Sequence, residues 1–180
     1  MTESEVQDRI ALLRGLRAIR EFRAEPVPQA VVDELLDVAR WTGSARNHQP
    51  WELVLIRDRE TLRALAKIGP RARHLAGAPL GMMLVMSGNP DRVEHETFDE
   101  GRLSERLLLA AAAHGVGGCI GWFDSEEAAG AKALLGIPQE RLVRTALSFG
   151  YPDPEAQRTH QKPPQARKPV AELVHQERYA

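Results

Sequence analysis

Residues Ser44–Ile56 read SARNHQPWELVLI, a polar loop that runs directly into an apolar run. The second half, WELVLI (51–56), is a strand by its β-branched and aromatic content. The first half sets Arg46, Asn47, His48 and Gln49 ahead of Pro50 and Trp51, which anchor the loop to the strand. Asn47 and Gln49 each donate and accept hydrogen bonds, the capacity needed to recognise a heterocycle or a polyol chain. The competing reading is turn chemistry, with Asn47 satisfying the backbone ahead of Pro50.

Upstream, PVPQAVVDELLDVARW has Pro28 as a helix starter and Val31, Val32, Leu35, Leu36 and Ala39 at helical spacing, which predicts a helix ending near Trp41. Further back, Ser4–Arg14 reads as a short amphipathic helix on Val6, Ile10, Leu12 and Leu13, followed by a turn at Gly15. Downstream, Asp58 caps a helix over RETLRALAKI, and LGMMLVMS after Pro79 is apolar on both faces, as a central strand should be. GNPDRVEHE reads as a polar loop, and Phe98–His114 as a long helix that is buried through its second half. VGGCIGWF, a helix capped by Ser125, a GIPQE turn and LVRTALSFG complete the pattern. Four strands interleaved with helices suggest an α/β or α+β sandwich on one principal sheet, with the strand order left open. From Tyr151 onward the chain is proline-rich and polar, with too little apolar content for a core of its own.

The length of 180 residues fits one domain. A net charge of −1 gives no pointer to nucleic acid or membrane. The single cysteine excludes a disulfide framework within the chain and fits a reducing cytoplasm. No apolar run is long enough to span a bilayer, and no apolar signal core precedes the first helix.

Familiar catalytic patterns are missing. There is no P-loop, no G-x-S-x-G elbow and no glycine fingerprint at a strand-to-helix turn, since GVGGCIG lies inside a strand. HETFDE gathers His95, Glu96, Asp99 and Glu100, but its spacing reads as a solvated acidic helix start in preference to a metal site. Cys119, in an apolar strand, reads as a buried inert thiol. What remains is a scattered cationic set. Arg17 and Arg20 stand three apart, which on a helical turn aims both to one side, as a phosphate site requires. Spacing alone favours a solvated arginine face. Arg167 and Lys168 form a second cationic patch in the tail, which taken alone is also solvated charge.

In this order the segments LRAIREF, GSARNHQPWELVLI, DEGRLSERLLLAAAAHGVGGCIGWF, LLGIPQERLVRTALSFGYP and PPQARKPVAELV resemble the nitroreductase family of flavin enzymes over Leu16 to about Val174. The resemblance implies an α+β fold, with a central, mainly antiparallel sheet flanked by helices. It implies a homodimer in which a core of residues 1–150 sends a C-terminal extension, 151–180, around the partner. It also implies FMN at the subunit interface. Arg17, Ala18 and Arg20 match positions at the FMN phosphate and ribityl chain, and Arg167, with Lys168 beside it, matches the phosphate-binding arginine of the tail. Gly43, Ser44, Asn47 and Gln49 match the loop laid against the flavin by the second subunit. Cys119, Ile120 and Gly121 match the strand whose backbone passes the ring, where glycines permit close approach. This sequence departs from the family pattern at Leu16 and Ala18, which replace an arginine and a serine. Gly43 replaces a proline, and Gln165 a basic residue.

The implied activity is ping-pong electron transfer from NADH or NADPH through FMN to a nitroaromatic or quinone-like acceptor. No catalytic side chain and no metal are required, because the flavin carries the chemistry. The resemblance also covers specialised relatives, such as a dehalogenase, an ene-type or flavin-fragmenting enzyme or a user of deazaflavin. A flavin-binding module without turnover is the remaining alternative.

Overall fold

The computed structural model describes residues 2–160 and 167–179, leaving aside the side chains of 159 and 160. Its elements in chain order are α1 (Glu3–Gly15), α2 (Gln29–Arg40), β1 (Trp51–Ile56), α3 (Arg59–Ile68), β2 (Leu80–Met86), α4 (Val93–Ala113), β3 (Gly117–Trp122), α5 (Ser125–Leu135), β4 (Leu142–Gly150) and α6 (Pro154–His160). The strands form one sheet in the order β1-β2-β4-β3, and every pairing is antiparallel. The fold is α+β, as expected. β2 is central and buried at every position, which its two-sided apolar sequence required.

Alternation along β2 divides the core. Leu80, Met82 and Leu84 pack with Val32, Leu35 and Ala39 of α2 and Leu103, Leu107 and Ala111 of α4. Met83 and Val85 pack on the opposite face with Leu62 and Leu65 of α3, Leu75 of the 3-10 segment Pro70–Gly77, and Ala128 and Ala131 of α5. β3 lies at the sheet edge, next to β4.

Two expectations need correction. GNPDRVEHE is not all loop, because α4 begins at Val93. Nor is its acidic start solvated: Glu96, Asp99 and Glu100 are 2%, 2% and 3% exposed. Each finds its own donor, which is what allows a carboxylate to be buried. Ser87 Oγ and the Gly88 N–H donate to Glu96, the Ala45 N–H to Asp99, and Arg144 to Glu100.

α1 is helical as expected, with a Thr2–Glu5 capping box at its start, but it contains no buried residue. Its stripe of Val6, Ile10 and Leu13 lies exposed.

Candidate functional site

Leu16–Arg20 does not continue α1 as a helical turn. The segment runs extended beside β3, through a parallel bridge from Ala18 to Gly118 and an Ile19 N–H bond of 2.8 Å to the Gly118 carbonyl. Gly117 makes the contact possible, since a Cβ there would lie 2.6 Å from Ile19 Cγ1. Arg17 and Arg20 still converge, now by lying along a strand edge. With Ala18, Cys119, Ile120 and Arg167 they line one cavity of about 450 Å³. Arg17 donates to the carbonyls of Arg14 (2.8 Å) and Leu16 (2.7 Å), at the open end of α1. Arg20 and Arg167 form no hydrogen bond or ion pair with any described residue. The cavity also has one carboxylate on its wall, that of Glu105. Lys168 is exposed and does not line it, and Gln165 lies outside the described residues.

β3 offers its outer edge to this cavity. The Gly118 carbonyl already points outward to Ile19, so antiparallel alternation turns the N–H and C=O of Ile120 outward as well. Cys119 is 2% exposed, and burial raises its thiol pKa against an opposing pull from Arg20, so the inert reading holds. Gly121 does not line the cavity. Its missing side chain leaves room for the 3-10 segment behind it, because a Cβ would stand 2.6 Å from Ala72 Cβ and 3.2 Å from His74 Nε2.

His74 escaped the sequence reading. Nothing in RARHLAG separates it from a solvated polar stretch. In the fold it is 7% exposed, with Nδ1 2.7 Å from Ser148 Oγ and Nε2 without a hydrogen-bond partner among the described residues. Burial, then the charge of Arg20, lower its pKa to about 4, with the Ile120 backbone opposing.

The Gly43–Gln49 loop stands elsewhere. Gly43, Ser44, Asn47 and Gln49 are absent from the lining of the arginine cavity of their own chain. The loop holds a 3-10 turn at Ala45–Asn47, and Arg46, Asn47 and Gln49 have φ of 52°, 58° and 48°. For side chains with a Cβ that region costs roughly 1–2 kcal/mol per residue, least for Asn. Ser44, not Asn47, supplies the turn chemistry by accepting the Gln49 N–H at 2.8 Å. Gln49 Nε2 donates to the Asn47 carbonyl at 3.3 Å. The exposed Asn47 amide is left with no bond to a described residue.

The site is therefore a cationic hollow beside an open strand edge, suited to an anion attached to a flat, hydrogen-bonding body. Among the described residues no group of three His, Cys, Asp or Glu could hold a metal ion, and no helix is long and apolar enough to cross a membrane.

Residues 13–76 match the model of the nitroreductase family. The chain is 28% identical over 185 residues to an NADH dehydrogenase of Thermus thermophilus, covering 82% of this chain and 88% of that one. It superimposes on an FMN-dependent nitroreductase of Clostridium difficile with a TM-score of 0.77 at 21% identity, over 94% of this chain and 99% of that one. The NADPH:FMN oxidoreductase of Vibrio harveyi, solved with NAD+, gives a TM-score of 0.81 at 23% identity over 96% and 78%. With an N-terminal third that fits the family model and a fold shared along almost its whole length, the chain is similar to the nitroreductase family in sequence and in fold.

Proposed function

We propose that this chain is an FMN-dependent oxidoreductase. It takes electrons from NADH or NADPH and passes them to an electron-poor acceptor of nitroaromatic or quinone type, one substrate after the other at the same place. The observation that carries this is the convergence of Arg17, Arg20 and Arg167 on one cavity, with Arg20 and Arg167 unpaired among the described residues. Guanidinium groups aimed into a hollow without a protein partner suit the forked acceptors of a phosphate. Arg17, Arg20 and Arg167 would hold the phosphate, Ala18 would lie along the ribityl chain, and Cys119 and Ile120, which line the cavity where Gly121 does not, would give the ring a strand edge to lie against. FMN, when bound, supplies the two-electron transfer. The residues of the chain bind and orient, and their cations favour negative charge in the site. Leu16 and Ala18 leave this grip without a further cation and a hydroxyl.

The working form would be a homodimer of single-domain chains, 1–180, in the cytoplasm. The Gly43–Gln49 loop, which does not line the cavity of its own chain, would face the cavity of the second chain, and the 151–180 extension would reach across to it. The exposed apolar residues of α1, together with Val170, Leu173 and Val174 of the tail, supply surface for such an interface.

Arg20→Ala should weaken FMN binding by roughly 1–3 kcal/mol, as flavin fluorescence titration would report. Unchanged affinity would remove the phosphate assignment. Steady-state rates across nitroaromatics, quinones and single-purpose substrates separate a broad reductase from a specialised one. A single strongly preferred acceptor marks the second.

A further inference from the structure

We propose that Asp99 is a positioning residue, holding the Gly43–Gln49 loop from below in the strained form that meets the cofactor. The inference rests on the reading of that loop as a flavin contact. Asp99 is 2% exposed on α4, yet one of its carboxylate oxygens serves the loop: Oδ2 accepts the Ala45 N–H at 3.0 Å. Its Oδ1 lies 3.6 Å from Arg102 Nη1. The same guanidinium fills the space beside Gly43, where a Cβ would stand 2.8 Å from Arg102 Nη2. Asp99 and Arg102 thus meet the loop just before its run of positive φ, at Arg46, Asn47 and Gln49. Strained backbone persists only where its surroundings over-determine it, and outliers of this kind gather at ligand contacts.

The hydrogen bonds within the loop, from the Gln49 N–H to Ser44 Oγ, from Gln49 Nε2 to the Asn47 carbonyl, and from the Asn47 and His48 N–H groups to the Ser44 and Ala45 carbonyls, close the turn but do not fix it to the body of the protein. The buried carboxylate does so. Asp99 therefore touches no ligand and acts through Asn47, the exposed amide that the loop presents.

The test is a double-mutant cycle read as FMN affinity of the full-length protein, with amide hydrogen exchange of residues 43–49 measured without FMN. Asp99→Ala is expected to weaken FMN binding about tenfold and to speed exchange in the loop. Asp99→Asn, which keeps an acceptor for Ala45 N–H, should recover most of that loss. In an Asn47→Ala background the effect of Asp99→Ala should shrink to less than about threefold, because both changes act on one contact. Full additivity of the two changes would overturn the proposal, as would unaltered affinity and loop exchange in Asp99→Ala. If the unaltered protein binds no FMN, the flavin reading itself fails and takes this proposal with it. If it binds and the Asp99 variants match it, only the proposal fails.

Discussion

Arg144→Ala is expected to cost about 3–5 kcal/mol of stability, because it strands a buried charge. Glu100 has a side chain only 4% exposed, paired at 2.5 Å with Arg144 Nε, and its Oε1 already lacks a hydrogen bond among the described residues. A register shift between β2 and β4 leaves Arg144 as the extra residue of a β-bulge, which re-aims its side chain. From there it reaches α4 twice, at Glu100 and at Thr97 Oγ1 (2.7 Å), and lies over the Trp122 ring. Breaking one side of such a pair is far more costly than replacing both sides. Arg144→Met combined with Glu100→Gln should therefore recover most of the loss. Urea unfolding at unchanged slope measures both, and a loss under about 1 kcal/mol in Arg144→Ala would show that water reaches Glu100 freely.

Acid should weaken the protein through His74 by about 3 kcal/mol in all. Its unfolded-state value is 6.5 and its folded value about 4. Between these the unfolded chain binds more protons, so stability rises with pH in that window. The contribution of a neutral His74 is fully present above pH 6.5 and is lost as the pH falls toward 4. Burial is the main cause, and the charge of Arg20 is the second. His74→Gln, which can still bond Ser148, should flatten the stability profile between pH 6.5 and 4 relative to the parent. Retention of the full slope in that variant would assign the acid loss to the carboxylates instead. Bound anion beside Arg20 would offset the second cause and shrink the effect, so the profile also reports on occupation of the cavity.

Much of this was legible in the sequence. The strands WELVLI and LVRTALSFG have the bounds that their β-branched content marks, and the two-sided apolar run of β2 announced its central place. The sheet order was not legible, because local pattern carries no record of which strands pair. The extended run of Leu16–Arg20 was misread for a related reason. Spacing of three suggests a helical turn, but tertiary pairing to Gly118 overrides it. The buried acids of α4 were missed because burial of a carboxylate depends on donors far away in sequence, such as Ala45 and Arg144. His74 was missed likewise: its burial, Ser148 and Arg20 are all facts of the fold. In the site, the arginines were findable as a scattered cationic set, and the structure supplied the convergence of Arg167 with Arg17 and Arg20.

Anaerobic titration decides whether the cavity holds a working flavin. Protein saturated with FMN and freed of excess is mixed with NADH or NADPH while the visible flavin absorbance band is followed. One FMN per chain is expected, with loss of the band on adding one of the two nicotinamides and recovery on adding a quinone. Failure to retain FMN would contradict the cavity assignment, and a bound flavin that neither nicotinamide can bleach would make the chain a binding module instead of an oxidoreductase.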